Sequence, residues 1–92
     1  MKTVDQQSAN RFAEKRTEAE EHLWREMEAR GLHRKDGWKM GEFLRDTRGG
    51  TELVLRPIHL WHPTPPELEC VIWVSYENGD VNAQCTPELP GR

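Results

Sequence analysis

Between Ser8 and Arg30, apolar side chains recur at Phe12, Ala19, Leu23, Trp24 and Met27, spacings that place them on one face of a 3.6-residue period. The stretch contains no Pro or Gly and is rich in Ala, Glu, Lys, Arg and Met, so a long amphipathic helix is expected over about residues 8–30. Ser8 or Asp5 suits its N-cap, and Gly31 followed by Leu32 suits a C-terminal glycine cap with an apolar contact. Glu21–Arg25 and Glu26–Arg30 are i,i+4 pairs in the favourable order.

Beyond the connector His33-Arg34-Lys35-Asp36-Gly37 the period changes to two. A first hairpin is expected over about residues 38–60, turning through Arg48-Gly49-Gly50. A three-residue loop there sets Met40 against Ile58, Glu42 against Arg56 and Leu44 against Val54, with those residues facing inward. The competing reading is a short helix from Gly37 to about Thr47, capped by Asp36. A second hairpin is expected over about residues 69–86 around Asn78-Gly79, a strong two-residue turn signal. Its pattern places Cys70, Ile72, Val74 and Tyr76 on one face with Val81, Ala83 and Cys85, and mostly polar side chains on the other. A Pro-rich connector, about residues 62–67, joins the hairpins, and a flexible tail is expected over residues 87–92. Pro57 has no N–H for a ladder, so a bend or bulge is expected in its strand. The expected fold is α+β: a long N-terminal amphipathic helix packed on a four-stranded antiparallel β-meander.

Composition narrows the setting. Ninety-two residues suit one domain, with 35% apolar and 32% charged side chains. No apolar run reaches the ~20 residues of a membrane span, and the first ten residues lack the apolar stretch of a secretory signal. Thirteen basic and sixteen acidic residues give a net charge of −3, which argues against a general nucleic-acid or membrane binder. Residues 67–92 hold five of the acids and one base.

The chemistry-bearing residues are few. A two-residue turn at Asn78-Gly79 makes Cys70 and Cys85 diagonal neighbours, about 7–8 Å apart at Cα and beyond comfortable disulfide range. Two free, buried thiols are therefore expected, and with them a cytoplasmic location. His59, His62 and Cys70 are residue types that bind metals or serve in catalysis, but their spacing matches no zinc motif. No nucleophile elbow, phosphate loop or His-Glu-x-x-His is present. No enzyme, cofactor or metal is expected; a small enzyme or metal protein using those three residues is the third reading.

Four tryptophans are many for such a chain. Trp24 and Trp38 fall on inward faces and are assigned to the core. Trp73 and Val71 fall on the polar face of the second hairpin, and Trp61 lies at the mouth of the Pro-rich connector. Trp73, Val71 and Trp61 thus form the expected protein interface, for a partner protein or for a second copy of the chain meeting sheet to sheet. Intramolecular cover by the N-terminal arm or by Leu89 is the competing reading. The function expected is a non-enzymatic interaction module: a small inhibitor, adaptor or regulatory subunit. The alternative is a nucleic-acid binder using Arg30, His33, Arg34, Lys35 and Lys39, with Trp38 among them to stack a base. No membrane partner is expected.

Overall fold

A computed structural model of the chain describes residues 6–75 and 77–90. It comprises helix α1 (Gln6–Ala29), a 3-10 turn (Arg34–Asp36), and strands β1 (Lys39–Thr47), β2 (Gly50–Ile58), β3 (Glu69–Val74) and β4 (Val81–Thr86). The strands form one antiparallel sheet in the order β1-β2-β3-β4, so the expected α+β meander is the fold. Residues 39–47 are strand, and the competing short helix does not form.

Helix α1 ends as its sequence foretells. Leu32 N–H donates to Met27 O at 2.8 Å and Gly31 N–H to Glu28 O at 3.1 Å, with Gly31 at φ +82°. That is a Schellman cap, whose left-handed residue is accessible to Gly because it has no Cβ. The helix start differs. Ser8 lies inside the helix, buried, and its hydroxyl donates to Gly79 O at 2.9 Å, tying the helix to the β3–β4 loop. Asp5 lies outside the described residues. Of the two expected i,i+4 pairs, Glu26–Arg30 forms, at 2.8 Å.

The core lies between α1 and one face of the sheet. Ala19, Leu23 and Met27 pack there against Leu53, Leu55, Leu68, Cys70, Ile72 and Cys85, with Trp38 closing one end. Phe12 and Trp24 pack at its margin, so the expected helix face is the one used. Helix packing adds one residue that the apolar period does not flag: His22 is buried and its Nε2 lies 2.7 Å from Pro87 O. Leu89 packs against the same core, so the chain after β4 stays on the helix side of the sheet.

Both hairpins differ in register from expectation, in instructive ways. In the first, Thr47 pairs with Gly50, leaving only Arg48-Gly49 in the loop. Met40 therefore faces Pro57, Glu42 faces Leu55 and Leu44 faces Leu53. This one-residue slip leaves β1 as expected but inverts β2: Leu53, Leu55 and Pro57 point to the helix, while Val54 and Arg56 point away. The expected Glu42–Arg56 pair is accordingly absent. Glu42 pairs with Arg16 of α1, and Arg56 pairs with Glu69 at 2.7 Å on the opposite face.

In the second hairpin Val74 pairs with Val81, so the loop spans six residues rather than two. Ser75 N–H donates to Asp80 O and Gly79 N–H to Ser75 O, both at 2.8 Å, and Asp80 N–H donates to Asn78 Oδ1 at 3.0 Å. These bonds stabilise the wider loop. The slip is two residues, so the faces are kept, but Cys70 now stands directly opposite Cys85. The two form a disulfide, which corrects the expectation of free thiols. The expectation for Tyr76 lies outside the described residues.

Pro57 needs no bulge. Pairing between β2 and β3 runs only from Glu52↔Trp73 to Leu55↔Cys70, so at Pro57 the strand is paired with β1 alone. Its missing N–H breaks no ladder there, and its ring is fully buried.

Candidate interaction surfaces

The sheet face turned away from α1 is built in three cross-strand rows. The central row runs Phe43–Val54–Val71–Gln84. Val54 is 1% exposed, Val71 half-buried and Phe43 44% exposed, so the row is an apolar spine that opens to solvent toward the β1 edge. The next row runs Arg45–Glu52–Trp73–Asn82, with Arg45 Nε paired to a Glu52 carboxylate oxygen at 3.0 Å. On the other side Arg56 bonds Glu69, and its guanidinium lies 5.5 Å from the centre of the Phe43 ring. An apolar centre thus sits between two ion pairs of mixed sign. The half-buried Trp73 also lines an open cleft of about 550 Å³ between the two hairpin loops, beside Thr47, Gly50 and Ser75. Trp73 and Val71 are thereby neighbours on one surface, as the sequence reading grouped them.

Trp61 is not part of that surface. It follows the far end of β2, and six residues of strand, some ~20 Å, separate Ile58 from Glu52, the partner of Trp73. Nor does Leu89 cover Trp73, because it packs on the helix side.

Trp61 instead shares its end of the molecule with the basic segment. The connection is aromatic and hydrogen-bonded. The Trp38 ring contacts His59 at 4.9 Å and stacks on His62 at 5.9 Å between centroids, and the two imidazoles lie 4.5 Å apart. Trp61 N–H donates to His59 Nδ1 at 2.9 Å, which makes that nitrogen the acceptor; Nε2 then carries the proton and donates to Asp36 O at 2.7 Å. His59 is thus a two-sided clamp joining the 34–39 segment to the connector. Gly37, at φ +101°, makes room for it: a Cβ there would lie 2.8 Å from His59 Nε2. The Arg34 guanidinium sits 4.1 Å over the Trp24 ring. A cleft of about 480 Å³ lies between the two segments, lined by Leu32, Asp36, Trp38, His59, His62 and Pro63.

At this end Leu60 and Trp61 stand out of the surface, 85% and 79% exposed. Trp38, the indole expected to stack a base, is 7% exposed and forms part of the core. Arg34, Lys35 and Lys39 are exposed and make no ion pair among the described residues, whereas Arg30 is paired with Glu26.

Of the third group of candidates, His59 and His62 are neighbours and Cys70 lies apart from them. Cys70 is buried in its disulfide on the helix side of the sheet, and both His59 nitrogens are engaged. Among the described residues no cluster of three or more His, Cys, Asp or Glu side chains is placed to hold a metal ion. No described helix is long and apolar enough to cross a membrane.

Comparison with known proteins returned no matching family model, curated protein or solved structure.

Proposed function

We propose that the chain is a non-enzymatic protein-interaction module that docks through the outer face of its sheet, and that the partner this face fits is a second copy of the chain. The observation that carries the reading is the row Phe43–Val54–Val71, flanked by Trp73 and bounded by the Arg45–Glu52 and Arg56–Glu69 pairs. An apolar, aromatic centre inside a polar rim is the anatomy of a protein interface. The two ion pairs of the rim balance, and Lys39 at the end of β1 adds a single unpaired cation to the face, so the face has little excess of either sign. A strongly acidic or basic partner gains nothing from such a rim. A second copy related by a two-fold axis can set each cation against an anion.

The engagement of Cys70 and His59 supports a binding role over a catalytic one. A nucleic-acid role through Arg30, His33, Arg34, Lys35 and Lys39 is the weaker reading, because Trp38 is buried. Cytoplasmic residence rested on free thiols, and the Cys70–Cys85 disulfide removes that ground.

Sedimentation equilibrium tests the proposal, comparing the wild-type chain with Phe43→Glu. Phe43 is 44% exposed on the edge strand β1, so this change places a charge on the face at little cost to the fold. Concentration-dependent dimerisation of the wild type that Phe43→Glu abolishes supports the reading. A wild type that stays monomeric at every concentration, or a dimer indifferent to Phe43→Glu, overturns it.

A further inference from the structure

We infer that the Leu60–Trp61 tip is a docking point for the surface of an anionic phospholipid membrane. The tip lies at the opposite end of the sheet from Trp73, so the inference stands apart from the proposed sheet-face interface.

Two adjacent large apolar side chains, 85% and 79% exposed, project from the connector between β2 and β3. Their display is built rather than loose. His59 clamps the connector to Asp36 O and to Trp61 N–H, the Thr64 hydroxyl donates to Pro57 O at 2.8 Å, and His62 stacks on the buried Trp38. Pro63, Pro65 and Pro66 stiffen the remainder. Little ordering is therefore left to be done on docking. The pair also has the right chemistry: an indole with its polar N–H beside an aliphatic chain suits the boundary between headgroups and acyl chains.

Charge selects the kind of membrane. Residues 34–39 hold three exposed cations without an ion pair among the described residues (Arg34, Lys35, Lys39) against one anion (Asp36), Arg30 being paired with Glu26, and the His59 clamp joins this segment to the tip. Residues 59–66 hold no carboxylate. Glu28, in the last turn of α1, and Glu67, after the prolines, are the flanking carboxylates without an ion pair among the described residues, while Glu77 and Asp80 lie in the distant β3–β4 loop. An anionic leaflet attracts such a juxtaposed basic segment over about a Debye length. Single-stranded nucleic acid would also meet the cations, but it calls for stacked aromatic platforms along a basic track. Here one indole is exposed and its neighbour is aliphatic.

Co-sedimentation of the full chain with vesicles tests the inference, using phosphatidylcholine alone and phosphatidylcholine mixed with phosphatidylserine. Binding to the mixed vesicles, weakened by salt and by omission of phosphatidylserine, is the expected result. Leu60→Ser/Trp61→Ser, two exposed positions, should abolish it while leaving the circular dichroism spectrum unchanged. At about 1 kcal/mol per cation near the surface, Lys35→Gln/Lys39→Gln should weaken it by roughly 30-fold. Absence of binding to mixed vesicles, or full binding by Leu60→Ser/Trp61→Ser, overturns the inference. So does capture by a single-stranded oligonucleotide with no vesicle binding, which would assign the basic end to nucleic acid.

Discussion

Cys70 and Cys85 stand directly opposite one another on β3 and β4 and are joined, closing a loop with a sequence separation of 15. The bond faces the helix and lies inside the core, with Cys70 fully buried and Cys85 nearly so. A cross-link constrains the unfolded chain more than the folded one. For a loop of this length the chain-entropy effect is about 3 kcal/mol. Cys70→Ala/Cys85→Ala should lower the unfolding free energy by about that amount, as measured by urea denaturation. A double variant as stable as the wild type would mean that the link adds nothing to stability.

The register of the first hairpin decides which residues of β2 carry the core. Leu55 is fully buried against the helix side, and Leu44 on β1 is 77% exposed. Leu55→Ala should cost about 2–5 kcal/mol, and Leu44→Ala no more than about 0.5 kcal/mol. Comparable losses at the two positions in denaturant titrations would contradict this packing.

Arg56 and Glu69 form the better-placed ion pair of the outer face, at 2.7 Å, with side chains 37% and 33% exposed. Exposure of that order leaves the pair substantially screened by water. A double-mutant cycle with Arg56→Gln and Glu69→Gln should give a coupling of about 0.2–1 kcal/mol, smaller at high salt. A coupling of several kcal/mol, or one unchanged by salt, would contradict this screening.

Gly37 supports the His59 clamp through its backbone. Its φ of +101° disfavours any side chain, and a Cβ would meet His59 Nε2 at 2.8 Å. Gly37→Ala should therefore cost at least about 1 kcal/mol. It should also raise hydrogen exchange at the Trp61 amide, because His59 is displaced from its acceptor position. Unchanged protection of that amide would show that the clamp tolerates the displacement.

Much of the architecture was legible in local patterns. The apolar spacing from Phe12 to Met27 marked the helix and its buried face, and Gly31-Leu32 marked its end. Alternation in residues 69–74 and 81–86 assigned both faces of the paired strands correctly even though the register was two residues off. A shift of two residues preserves which face each side chain occupies, so alternation is blind to it. Cys70 and Cys85 were placed on the right face but not opposite each other. In β2, Leu53-Val54-Leu55 is an uninterrupted apolar run, and such a run does not state which of its members faces the helix.

The candidate surfaces divide along the same line. Pairing Trp73 with Val71 followed from strand alternation, and the structure puts them on one face. Val54 was missed because pairing the first hairpin one residue out turns it inward. Trp61 was joined to the wrong group, since nearness in sequence to the connector says nothing about which end of the sheet the connector occupies.

By itself, then, the sequence determined the elements, their order, the helix face and the parity of the second hairpin. Each of these is written in the spacing of neighbouring residues and in local backbone preferences. Only the tertiary structure decided the two registers, the disulfide, and the gathering of Trp61 with Arg34, Lys35 and Lys39 at one end. Those depend on contacts between residues distant in the chain, such as Ser8 with Gly79, Arg16 with Glu42 and Asp36 with His59. Such contacts leave no period behind in the sequence.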